Sequence, residues 1–160
     1  MDTSLFISGG NPLEFVTTGP TKLTIPTTGT ILNSAPTPTS ITAATATLTA
    51  DDSGRVFFLN RAAGITVTLP SVTTSAGVTY EFIVGTAPTT SYVISGGGTT
   101  VRGVVVTSAT GAADSEASGA ASVTFVAATS TRGDRVELRC DGANWYAFAF
   151  CAVATAVVIP

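Results

Sequence analysis

The sequence predicts an all-β protein, an antiparallel β-sandwich of jelly-roll-like order preceded by an extended N-terminal arm. Three observations predict it. Hardly any window places apolar residues at i, i+3, i+4 and i+7 over three turns, so helical periodicity is nearly absent. Short runs rich in Val, Thr and aromatic residues recur instead, each bounded by Gly, Pro, Asn or Asp, which is the spacing of a sandwich or barrel. The composition also changes near Ala50: before it, Pro12, Pro20, Pro26, Pro36 and Pro38 sit among threonines, and after it the runs are dense and regular. The expected organisation is therefore an arm over residues 1–48 with short strands of its own and a sandwich domain over residues 49–160.

Taken in order, the expected strands are LEFVT (13–17) and TKLTI (21–25) in the arm, then TATLTA (45–50), RVFFLN (55–60), ITVTLP (65–70) and TYEFIVG (79–85). SYVIS (91–95), VRGVVVTS (101–108), SVTFVAA (122–128), DRVELRC (134–140), WYAFAF (145–150) and AVATAVVI (152–159) complete the set. Residues 33–47 read as extended chain, and residues 108–120, SATGAADSEASGA, as an exposed loop with Asp114 and Glu116 at its tip. No repeat of fixed period is present.

The stretch from Gly133 to Phe150, GDRVELRCDGANWYAFAF, carries the most information. If DGAN forms the loop, Cys140 lies opposite Trp145, and Val136, Leu138, Cys140, Trp145, Ala147 and Ala149 share one face. The opposite face then holds Glu137 and Arg139 with Tyr146, Phe148 and Phe150. Burying a Phe side chain is worth about 1.5–3 kcal/mol, so a bare row of three aromatics is costly in water. The expected cover is the C-terminal strand, the N-terminal arm or a neighbouring subunit.

The totals limit the chemistry. A chain of 160 residues can bury roughly 70% of its unfolded surface and needs neither metal nor disulfide to fold. Charged residues make up 11% of it, well below an ordinary soluble domain, and mean hydropathy is +0.45. The surface is therefore built of small polar residues or is partly covered by other chains. A net charge of −3 with one lysine, Lys22, offers no basic stripe for a phosphate backbone, so no nucleic-acid partner is expected. Cys140 and Cys151 are expected as buried thiols. No secretory leader is expected at MDTSLFISGGNPLEF, and Tyr146 to Ile159 is too short and too β-branched for a spanning helix, so no membrane is expected.

Histidine is absent, which removes Ser-His-Asp and Cys-His systems and most zinc sites. Asp51 with Asp52, or Asp114 with Glu116, are the carboxylate pairs that glycoside cleavage could use, but adjacent acids in turns are ordinarily solvated. DDSG and CDGAN lack the spacing of a calcium loop, SGGG lacks the lysine of a phosphate loop, and RGD opens directly into a strand. No catalytic, cofactor or metal residue is assigned.

The order of several segments resembles a β module recurring in tailed-phage virion proteins. They are LTADDSGRVFFLNRAAGITVTLP (48–70), GVTYEFIVG (77–85), SYVISGGG (91–98) and RGDRVELRCDGANWYAF (132–148). In that module an acidic-Ser-Gly turn leads into a hydrophobic strand, a VTLP strand ends at proline, and a DG..W hairpin closes the sheet. The resemblance implies a non-enzymatic structural virion protein, most similar to capsid decoration (cement) proteins. What it implies further is a homotrimer on the outer surface of the head, made in the host cytoplasm, with the major capsid protein as partner. Leu5, Phe6 and Phe15 of the arm, with Tyr146, Phe148 and Phe150, are the candidate subunit or capsid contacts. The residues 108–120 depart from the module and leave a second expectation, a head- or tail-fibre module binding a host receptor or glycan, with Trp145 and Tyr146 stacking on a sugar.

Overall fold

The computed structural model describes residues 38–108 and 115–160, with the side chains of residues 115–118 excepted. The expected strands at 13–17 and 21–25, and Leu5, Phe6 and Phe15, lie outside the described residues. Within them the chain forms β1 (Thr39–Ile41), β2 (Thr45–Thr47), β3 (Arg55–Leu59), β4 (Ile65–Thr68), β5 (Thr79–Val84) and β6 (Tyr92–Ser95). It continues through β7 (Val101–Thr107), β8 (Ser115–Ala120), β9 (Ser122–Phe125), β10 (Arg135–Cys140), β11 (Trp145–Cys151) and β12 (Val157–Val158). The helical content among the described residues is two single 3-10 turns, Ala50–Asp52 and Val72–Thr74.

The protein is all-β, with a seven-stranded sheet in the order β1-β3-β5-β10-β11-β7-β8 and a five-stranded sheet in the order β12-β9-β6-β4-β2. Both sheets are mixed, which corrects the expectation of antiparallel pairing throughout. β1, β3 and β5 run parallel in one sheet while β2, β4 and β6 run parallel in the other. From β1 to β6 the chain therefore alternates between sheets, and each strand pairs with the strand two places on. Parallel neighbours need a crossover, and here the crossover is itself a strand of the opposite sheet. Only in the later part of the chain do antiparallel pairs dominate, at β5–β10, β10–β11, β7–β8, β6–β9 and β9–β12.

Three boundaries move for physical reasons. β1 and β2 fall inside the residues assigned to the arm, because Thr39–Ile41 pairs with Phe57–Leu59 and Thr45–Thr47 with Thr66–Thr68, so the sheets begin ahead of residue 49. Residues 115–120, expected as loop, form the edge strand β8 on β7, since edge pairing uses backbone groups and asks little of the side chains. The C-terminal strand shrinks to Val157–Val158: the Ala156 N–H donates to the Val153 carbonyl in a turn, and Thr155 sits at φ 66, so the chain bends where a continuous strand was expected.

Alternation explains the core. In β5 the side chains of Tyr80, Phe82 and Val84 are buried while those of Thr79, Glu81 and Ile83 are half-buried on the other side. Phe57 stacks on Phe82 with ring centroids 5.4 Å apart, and Trp145 stacks on Tyr80 at 5.6 Å. Val67, Tyr92, Ile94, Val123 and Phe125 of the five-stranded sheet join the same apolar cluster, so both sheets share one core. Cys140 and Cys151 are buried and unbridged.

One core group gives the fold a pH limit. The Tyr80 hydroxyl donates to the Thr49 carbonyl at 2.6 Å, and burial, with smaller contributions from Asp52 and Cys140, pushes its pKa from 10.0 up to about 12. A folded pKa above the unfolded one means that the native state holds the phenolic proton more tightly. The contribution is complete below pH 10 and is lost as pH rises through about 12. Denaturant titrations across this range are expected to show stability falling more steeply than in Tyr80→Phe; parallel curves for the two proteins would remove Tyr80 from the account.

Candidate functional site

The β10–β11 hairpin is the local structure that exposes chemistry, and its loop sets it up. Asp141 Oδ1 accepts the backbone N–H groups of Ala143 and Asn144, both at 2.7 Å, and Gly142 adopts φ +96, a conformation that favours glycine. Those two N–H groups, Asn144 first, hold the Asp141 carboxyl below its usual range. The loop fixes the register: Cys140 opposes Trp145, Leu138 opposes Ala147 and Val136 opposes Ala149, and all six side chains are buried.

The other face of the same hairpin points outward. Arg135 opposes Phe150, Glu137 opposes Phe148 and Arg139 opposes Tyr146. Tyr146 is 44% exposed and Phe148 51%, whereas Phe150 is half-buried. The difference has a visible cause. The Arg135 guanidinium lies 4.9 Å from the Phe150 ring centroid, a cation–π contact that Phe148 does not share. Arg135, Glu137, Arg139, Tyr146, Phe148 and Phe150 together line a groove of about 500 Å³.

No protein-family model, curated protein or solved structure matches the chain.

The outward face extends beyond the hairpin. Side by side in register, Phe58, Ile83, Arg135, Phe150 and Val106 form one row across β3, β5, β10, β11 and β7. Val56, Glu81, Glu137, Phe148 and Val104 form the next. Phe58, Ile83, Val104 and Val106 are half-buried, and sequence reasoning missed them as members of this face. The signal was available in VFFL, EFIV and GVVV, runs that are apolar at both parities and so mark strands with two apolar sides. The C-terminal strand does not cover this face, because β12 pairs with β9 in the other sheet.

The remaining candidates have structural roles. Trp145 is fully buried and stacked on Tyr80, so its ring is not presented to a sugar, and that contact is corrected. It begins β11 beside the hairpin loop, where it is paired on both sides, with Cys140 of β10 and Val101 of β7. Asp52 accepts the Thr49 N–H at 3.0 Å and pairs with Arg55 at 3.0 Å, closing the 3-10 turn. Asp134 of the RGD stretch is buried, with Oδ2 accepting the Thr131 N–H at 2.8 Å and Oδ1 the Ala152 N–H at 2.9 Å, so it ties the start of β10 to the end of β11. The side chains of Asp114 and Glu116 lie outside the described residues. Tyr146 to Ile159 forms strand, turn and strand, and no helix among the described residues is long and apolar enough to cross a membrane.

Proposed function

We propose that this chain is a capsid decoration protein of a tailed phage: a homotrimer, made in the host cytoplasm, that binds the major capsid protein on the outside of the assembled head. In this reading the two mixed sheets are the layers of a β-sandwich, and the N-terminal arm, with Leu5, Phe6 and Phe15, contributes to gripping the shell or a neighbouring subunit. The protein acts by association alone, without catalysis, cofactor, nucleic acid or membrane. A protein that binds the assembled shell and not its separate subunits stabilises the shell by mass action.

The observation that carries this reading is the outward face of β10 and β11, where Tyr146 and Phe148 stand about half exposed beside half-buried apolar neighbours on β5 and β7. A contiguous apolar face of this kind marks an association surface. The low charge content and the order of the resembling segments agree with it. The fibre-type reading through sugar stacking has less support, since one of its two aromatic contacts, Trp145, is buried.

Copy number tests the proposal. Quantitative mass spectrometry of purified virions containing this chain is expected to give a ratio to the major capsid protein near one to one. A ratio of a few per cent would overturn the shell-covering role and point to a fibre or vertex position.

A further inference from the structure

The outward face carries charge in an order that says what fits it. Glu81 and Glu137 are direct cross-strand partners on β5 and β10, an arrangement of like charges that is unfavourable when left unbalanced. Within the chain the balance is incomplete. Arg139 reaches Glu137 at 3.6 Å, Arg135 is held over the Phe150 ring, and among the described residues Glu81 has no ion-pair partner. Along β10 the signs alternate as Arg135, Glu137, Arg139, each on the outward side and separated by two residues, about 7 Å.

Aromatic and aliphatic groups continue the same two rows. The acidic row ends in Phe148 and Val104, and the neighbouring basic row in Phe150 and Val106. Two such faces related by a two-fold axis lying across the strands between the two rows bring Arg135 of one against Glu137 of the other, while Phe148 meets Phe150, Val104 meets Val106 and Glu81 meets Ile83. Across β10, β11 and β7 the pattern is thus its own complement. Any other partner would need to supply both signs and both apolar columns at this spacing, whereas a second copy carries them by construction. Arginine and aromatic residues are also the groups favoured at protein–protein contacts.

We propose that the outward face of the seven-stranded sheet is where two copies of this chain meet, with Arg135 of each copy set against Glu137 of the other and the Phe148 and Phe150 rings packed between them. This rests on the subunit-interface part of the reading above but not on its three-fold symmetry, because a face that is its own complement closes a pair of copies. It needs no shell, so it can be tested apart from shell binding.

The test is sedimentation of the purified full-length chain alone, with circular dichroism to verify the fold of each variant. The unaltered chain is expected to sediment as a dimer, and Phe148→Glu to reduce it to the monomer mass. Arg135→Glu and Glu137→Arg are each expected to weaken association about tenfold or more, because each sets like charges against one another. An equimolar mixture of those two variant chains is expected to recover the oligomer, since every contact between unlike chains again joins opposite signs. A contribution of these residues to the fold of a single chain would not produce recovery on mixing. A monomer mass for the unaltered chain, an oligomer indifferent to Phe148→Glu, or a mixture no heavier than its components would each overturn the assignment. A monomeric chain that still coats heads would refute this interface and leave the decoration role standing, and an oligomer absent from heads would do the reverse.

Discussion

Trp145→Ala is expected to lower the free energy of unfolding by about 3–5 kcal/mol, the range for removing a large buried aromatic ring and leaving its cavity. The ring is fully buried and lies on Tyr80 at 5.6 Å with planes 28° apart. Trp145 also occupies the point where β11 is paired on both sides, opposite Cys140 of β10 and beside Val101 of β7. A cavity there touches three strands at once. Chemical denaturation followed by circular dichroism reads the loss, because the substitution removes the chain's single tryptophan as a fluorescence probe. Trp145→Phe makes the cause separable. The indole Nε1 has no hydrogen-bond partner among the described residues, so losing its N–H orphans no acceptor there and the cost reduces to volume and stacking. The phenylalanine variant is therefore expected to be much the milder of the two. An alanine variant within 1 kcal/mol of the parent would mean that the ring is not part of the core.

The second large effect is expected at Gly103, from the opposite cause. A Cβ there would stand 2.0 Å from the Ala147 carbonyl oxygen and 3.0 Å from its Cα, on the strand running alongside in the same sheet. The obstructing atoms are backbone of an interior strand and cannot swing aside as a side-chain tip could. Gly103→Ala must therefore push β7 away from β11 or break their pairing, at a cost near the upper end of the roughly 1–3 kcal/mol typical of overpacking. The measurement is the denaturation midpoint, with amide exchange on β7 and β11 as the local readout. Faster exchange confined to those strands is the expected signature. Unchanged exchange and stability would show that the two strands are not so closely apposed.

Much of the hairpin was legible in the sequence. The alternation in VELRC and WYAFAF and the Asp-Gly loop between them are local signals, and they fixed the register of Cys140 with Trp145 and the outward row of Tyr146, Phe148 and Phe150. The winding from β1 to β6 was not legible, because a tight turn that carries the chain to the opposite sheet uses the same Gly, Asp and Asn residues as one that folds it back. DDSG and RAAG look like hairpin turns and are crossings. β1 and β8 were hidden for a related reason. Their positions are fixed by partners on β3 and β7, and small polar side chains announce no such partner. The wider outward face escaped notice because its rows run across strands distant in the chain, from Phe58 to Phe150.

The place of the β10–β11 hairpin in the sheet bears on how the molecule is born. Synthesis proceeds from β1 onward, yet the hairpin made near the end sits in the middle of the seven-stranded sheet, between β5 and β7. Until it emerges, those two strands have no common neighbour, and each offers a raw edge of unpaired amides to any passing chain. Completing the sheet is thus a late, non-local step of the kind that slows folding and exposes nascent protein to aggregation. A chain halted before Arg135 would not be a slightly shorter version of this protein: its larger sheet would be in two pieces, with nothing to join them.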